Sequence, residues 1–171
     1  MYIDRNELKK LWKKLLNDEG WKQEKSNFYL ESDFALIILA LDRSPHTWDT
    51  WVECGISIKK LGYHQYEFNP DILIGYYRYP KFNHCHIFFS AECLFPKENT
   101  SLIKYLPYNN GVYEKNTVDT FFGSLIRYVF PMLKQCLTKD EFIKQYIETQ
   151  GFLFGSVDKE IRLWYESVLT R

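Results

Sequence analysis

One apolar run, FALIILAL from Phe34 to Leu41, constrains this chain more than any other stretch. It is too short to cross a bilayer as a helix, which takes about 20 residues. It has no polar side, so a strand made from it must be covered on both faces. Downstream, WVECGISIKKL alternates: Val52, Cys54, Ile56 and Ile58 point one way, and Glu53, Ser57 and Lys59 the other. Upstream, Phe28 to Glu31 reads as another strand, with Glu31-Ser32-Asp33 as its turn. Arg43 to Trp48, with its Ser-Pro and Thr-Trp-Asp, reads as the loop between the two long strands. Links this short imply an antiparallel sheet.

Helices flank the strands. Asp4 and Glu7 have capping-box spacing, and Leu8, Leu11, Trp12, Leu15 and Leu16 follow as one apolar stripe. Gly20 stands where a left-handed cap belongs. In the last third, Asn116 and Asp119 suit the start of a helix carrying Val118, Phe121, Phe122, Leu125, Ile126, Val129 and Phe130 inward. Pro131 must kink or end it. Thr138 and Glu141 predict a second capping box, for a helix facing Phe142, Ile143, Tyr146 and Ile147 to the core and closed by Gly151. Ser156 suits the cap of a final helix with Val157, Ile161, Trp164, Tyr165 and Val168. Asn110-Gly111 signals a turn. The whole reads as α+β: an antiparallel sheet of about four to six strands, with an N-terminal helix and three C-terminal helices packed on it. At 171 residues the expectation is a single domain spanning 1–171.

Basic and acidic residues balance at 22 each, which argues against nucleic acid, whose binders need a basic excess. The cluster Lys9, Lys10, Lys13 and Lys14 reads as a solvated helix face. The N-terminus has neither a signal-peptide nor a transit-peptide pattern, and no membrane segment is expected. Cys54, Cys85, Cys93 and Cys136 show no CxxC spacing, so the expectation is reduced thiols in a cytoplasm.

FNHCHIFFSAEC, Phe82 to Cys93, holds most of the chemistry-bearing residues. Read as a strand from His84 to Phe95, it puts His84, His86, Phe88, Ser90 and Glu92 on one side and Cys85, Ile87, Phe89, Ala91 and Cys93 on the other. Cys85 then faces away from both histidines and lacks a base, among apolar neighbours that disfavour a thiolate. His84 and His86 would lie roughly 7 Å apart at Cα, close enough to share a metal. Glu92 would be roughly 20 Å along the strand, too far to complete the site. A third ligand would have to come from Glu53, His46 or His64, and zinc sites normally show tighter paired spacing. The plainer reading is a histidine pair on a partly exposed sheet face. Glu53 offers a lone acid or base, yet strand alternation alone places it on the polar face. No GxGxxG, P-loop, GxSxG or HExxH is present. No catalytic residue and no cofactor is implied.

Aromatic residues make up 18% of the chain, with thirteen Phe, thirteen Tyr and five Trp. Part of that surplus is expected in the core and part on a concave or partner-facing surface, where Tyr and Trp supply contact area at low entropy cost. Tyr76, Tyr77, Arg78 and Tyr79, with Trp48 and Trp51, are the residue types enriched at binding hot spots, and they are the candidate binding residues. The competing reading divides them between the core and a covered sheet edge.

The N-terminal half also resembles a family of bacterial domains of unknown function. The likeness rests on the amphipathic helix leading into LNDEGWKQEKSNFYLE, on FALIILALD and on WVECGISI. It covers Asp4 to Leu61, more loosely through Phe95, and leaves out the aromatic tract and the C-terminal helices. Such domains are often found beside secreted bacterial toxins as candidate immunity proteins. The resemblance implies a cytoplasmic binding protein and brings no catalytic residues. The leading expectation is a non-enzymatic protein that binds a protein partner, a toxin domain, and neutralises it by occluding its working site with an aromatic surface. The alternatives are a metal-dependent hydrolase using His84 and His86, and a small-ligand module with an aromatic pocket.

Overall fold

In the computed structural model, which describes residues 1–59, 85–148, 156–157, 163 and 166–167, Asp4 opens helix α1 (Arg5–Asp18) with the predicted capping box. Asp4 Oδ1 accepts the amides of Asn6 and Glu7 at 2.7 and 2.9 Å, and Glu7 Oε2 accepts the Asp4 amide at 2.8 Å. Donors that a helix start leaves orphaned are thus satisfied reciprocally. Leu8, Trp12 and Leu16 are buried, while Lys9, Lys10, Lys13 and Lys14 stay in solvent. Gly20 takes φ +84°, the left-handed cap its position requires.

The strands are β1 (Tyr2–Ile3), β2 (Lys22–Glu24), β3 (Asn27–Glu31), β4 (Ala35–Arg43), β5 (Thr50–Ile58), β6 (Ile87–Ser90), β7 (Tyr113–Glu114) and β8 (Ser156–Val157). Among the described residues six form one sheet, ordered β2-β3-β4-β5-β6-β8, with every pairing antiparallel. β1 and β7 pair separately. The β2–β3 hairpin was not legible in the sequence, because it turns through Lys25 at φ 55° without an Asn-Gly or Asp-Gly signature. The Ser32 turn is as expected: Ser32 Oγ accepts the amides of Phe34 and Ala35 and donates to the Leu137 carbonyl at 2.6 Å, tying the sheet to the helical layer.

β4 is buried on both faces from Ala35 to Ala40, as its composition demands. On one face Ile37 and Leu39 meet Ile56 and Cys54 across the β4–β5 ladder, and α1 with the later helices covers them. Trp12 packs against Phe28 and Phe122, and Trp21 against Phe130. On the other face Leu36, Ile38 and Tyr29 form a smaller cluster with Cys85. Ser57, expected on a polar side, is fully buried on this second face.

The helical part runs α2 (Lys115–Ser124), a π turn (Leu125–Val129), α3 (Phe130–Gln135) and α4 (Lys139–Glu148). Pro131 has no N–H to offer the carbonyl four residues back. The chain absorbs this by widening, so that the Phe130 amide reaches the Leu125 carbonyl. The added residue breaks the three-four stripe: Leu125 and Val129 stay buried, but Ile126 is exposed. Ile147, also expected inward, is exposed, while Phe142 and Tyr146 are buried. Asn116 and Asp119 do not cap. The helix starts after Glu114, which is held in β7, and Asp119 pairs with Lys115 one turn earlier. The Thr138 hydroxyl turns back to the Gln135 carbonyl, at 3.5 Å. Ser156 and Val157 pair with β6 instead of starting a helix, because the edge of β6 offers them a ladder. Gly151, Ile161, Trp164, Tyr165, Val168 and the tract at Ile72 to Tyr76 lie outside the described residues.

Candidate functional site

Among its described residues, from Cys85 onward, the histidine–cysteine stretch is strand from Ile87 to Ser90, followed by a 3-10 turn at Ala91–Leu94. The ladder with β5 ends at Ile56 paired with Ile87. One step further the Ile58 amide donates to Nδ1 of His86, at 3.1 Å. A side chain takes the place of a strand, and the alternation expected from His84 onward fails there. Cys85 consequently clusters with Leu36 and Ile38, on the face opposite Ile87 and Phe89. His86 is buried, with no partly exposed face, and its Nδ1 is committed to the backbone. His84 and His64 lie outside the described residues, and His46 sits in the exposed β4–β5 loop. Among the described residues no three His, Cys, Asp or Glu side chains gather to hold a metal.

Burial pushes the Cys85 thiol up to about 12, against a smaller opposing effect of the Ser57 hydroxyl. Burial and then the Glu141 charge push Cys136 up to about 12. Cys54 is raised well above its ordinary value, again mainly by burial. Cys93 is half-buried and also raised, by burial and then by Glu92 and Glu53. These are protonated thiols and poor nucleophiles.

Glu53 lies on the second sheet face. Its Oε1 accepts the Trp51 indole N–H at 2.5 Å and the Ser90 hydroxyl at 3.0 Å. Burial raises its pKa; these two hydrogen bonds lower it, and the charges of Asp42 and Glu92 add to the rise. Trp51, a candidate binding residue, is thus a half-buried strand residue anchored to a carboxylate.

Trp48 is different. It is 43% exposed and takes φ 64°. That left-handed conformation is an outlier for a bulky side chain and costs on the order of 1–3 kcal/mol. The loop enforces it. Ser44 Oγ accepts the amides of His46 and Thr47, the Trp48 amide donates to the Ser44 carbonyl at 3.1 Å, and the Ser44 amide donates to the Asp49 carbonyl at 2.9 Å. Asp49 Oδ1 then accepts the Tyr108 amide at 2.9 Å, fixing the loop to a distant segment.

Around the Trp48 indole stand the Arg43 guanidinium, 4.0 Å from the ring centroid, the Arg5 guanidinium at 5.9 Å, and the Tyr108 ring at 6.4 Å. Tyr108 packs on Tyr113 at 4.9 Å, and Tyr113 Oη lies 2.8 Å from Thr50 Oγ1. Exposed Tyr2 and Tyr105 flank this end of the sheet, through the β1–β7 pair and the Thr50–Leu106 bridge. Beside it lies a cleft of about 470 Å³ lined by Tyr2, Asn109, Asn110, Glu114 and Thr117 among others.

The structure thus separates the two expected tryptophans: exposed Trp48 joins a half-buried aromatic and cationic cluster, and Trp51 belongs to the Glu53 group. Tyr76, Tyr77, Arg78 and Tyr79 lie outside the described residues. Arg5, Arg43 and Tyr108 were missed as site residues. Arg43 opens the predicted loop and was within reach of sequence reasoning; nothing in the spacing ties Arg5 or Tyr108 to Trp48.

Fold and site define an α+β protein with an antiparallel sheet, helices packed on one face, and an aromatic–cationic surface at one end of the sheet. No family model, curated protein or solved structure matches the chain. Among the described residues no helix is long and apolar enough to cross a membrane.

Proposed function

We propose that this chain is a non-enzymatic, cytoplasmic protein-binding protein, and specifically an immunity protein that neutralises a bacterial toxin by occluding its working site. The observation that carries the reading is Trp48: an exposed indole held in a costly backbone conformation by a hydrogen-bonded loop. Strain of this kind persists where surrounding structure over-determines it, and it concentrates at ligand clamps and active sites. An aromatic anchor that is already ordered loses little entropy on docking. Arg and Tyr beside it complete the composition of a hot spot. The likeness of Asp4 to Leu61 to domains found beside toxins supports the choice of partner class.

Affinity purification of the full chain from its native host, with Trp48→Ala in parallel, tests the reading. A protein captured by the wild type and lost with the variant is then co-expressed with the chain. Growth restored by the wild type and not by Trp48→Ala is the expected result. Equal capture by both, with folding intact, removes this surface.

A further inference from the structure

Two guanidiniums converge on the Trp48 ring, and among the described residues neither has an anion. Among the described residues Arg5 and Arg43 form no ion pair and donate no side-chain hydrogen bond to a carboxylate. The acidic side chains adjoining them in sequence are engaged elsewhere. Asp4 Oδ1 caps α1, Asp42 Oδ1 accepts the Arg43 amide at 2.8 Å, and Asp49 holds the Tyr108 amide through Oδ1 and the Thr47 hydroxyl through Oδ2. Like charges gathered on one ring repel, and an arriving anion relieves that repulsion.

From this charge complementarity we infer that the Arg5–Arg43–Trp48 corner reads a carboxylate, an Asp or Glu side chain of the protein partner, with the apolar stem of that residue laid along the indole. The inference rests on the partner-binding reading of the same surface and names the group recognised. Planar guanidinium matches carboxylate geometry in a bidentate pair, and the Trp48 ring, 4.0 Å from the Arg43 guanidinium carbon, helps hold that group in place beforehand. The equal numbers of basic and acidic residues in the chain disfavour a nucleic-acid phosphate as the intended anion.

The test is an NMR titration of the full chain, following the Trp48 indole N–H and the Arg43 Nε–H. The probes are a capped Leu-Glu-Leu peptide, its Leu-Gln-Leu counterpart and a short single-stranded oligonucleotide. The Glu peptide should move both signals at millimolar concentration, with roughly tenfold weaker binding for Arg43→Gln and a response that fades as salt rises. Arg43→Lys, which keeps the charge, should recover only part of the loss. Equal responses to the Glu and Gln peptides, no response to either, or a response to the oligonucleotide alone overturns the inference. If Trp48→Ala abolishes partner capture while Arg43→Gln leaves it intact, the partner reading stands and the carboxylate inference falls. If Trp48→Ala leaves capture unchanged while the Glu peptide still binds, the partner reading falls and with it the assignment of the carboxylate to that partner, while the corner remains a carboxylate site.

Discussion

The amide of Ile58 donates to Nδ1 of His86 across 3.1 Å, at the point where the β5–β6 ladder stops. A protonated imidazole has donors on both nitrogens, so this bond requires a neutral ring with its proton on Nε2. The imidazole closes the end of a strand pair and commits its Nδ1 to that backbone amide.

Replacing His86 with Phe keeps a ring in the buried site and removes the acceptor. The Ile58 amide is then orphaned, at a cost of about 1–3 kcal/mol. Urea unfolding of His86→Phe should show a lower midpoint with an unchanged slope. An unchanged midpoint would mean that the bond does not hold the strand end.

Thiol labelling should follow burial. Cys93 is half-buried and should react first with a thiol reagent in the native protein. Cys54, Cys85 and Cys136 should react only as fast as the fold opens, since burial keeps each thiol protonated. Mass spectrometry of a time course checks the order. Early modification of Cys85 would contradict its place between Leu36, Ile38 and Ser57.

Glu53 gives stability a pH dependence of defined sign. Its folded pKa is raised above the ordinary 4.5, so the native state holds the proton more tightly than the unfolded chain. The associated stability is present below 4.5 and is lost as pH rises through the folded value. Glu53→Gln keeps an acceptor for Trp51 and Ser90 and removes the titration. Its stability relative to wild type should therefore rise with pH above 4.5. Urea midpoints across that range check it, and a constant difference would show that burial does not hinder ionisation of this carboxyl.

Much of this architecture is legible in the sequence where one local signal decides. FALIILAL has no polar side and is the doubly covered strand β4. Asp4 and Glu7 make the capping box, Gly20 the left-handed cap, and Asn110-Gly111 the turn, with φ 51° and 87°. Local signals mislead where tertiary pairing competes. Ser156 looks like a helix cap and joins the edge of β6; Asn116 looks like a cap and is preceded by a strand that fixes the helix start at Lys115. Pro131 announces a disturbance, but not that a π turn absorbs it and exposes Ile126. Of the site, Trp48 was legible as an aromatic in a loop. Its gathering with Arg5 and Tyr108 depends on long-range contacts that no spacing encodes. Trp51 has the same residue type and a different role, because strand alternation points it at Glu53.

The left-handed backbone at Trp48 separates stability from function. Glycine adopts φ 64° without strain, so Trp48→Gly relieves the backbone while it forfeits the stacking of Arg43, effects of similar size on the order of 1 kcal/mol. Its thermal midpoint should lie near that of the wild type.

Partner capture by folded Trp48→Gly, assayed beside wild type in the same host extract, is the most direct measurement. A captured protein lost from the variant, with the melting temperature preserved, is the predicted result. The same protein retained in equal amount by the folded variant would contradict the proposal that this indole is the anchor of a binding surface.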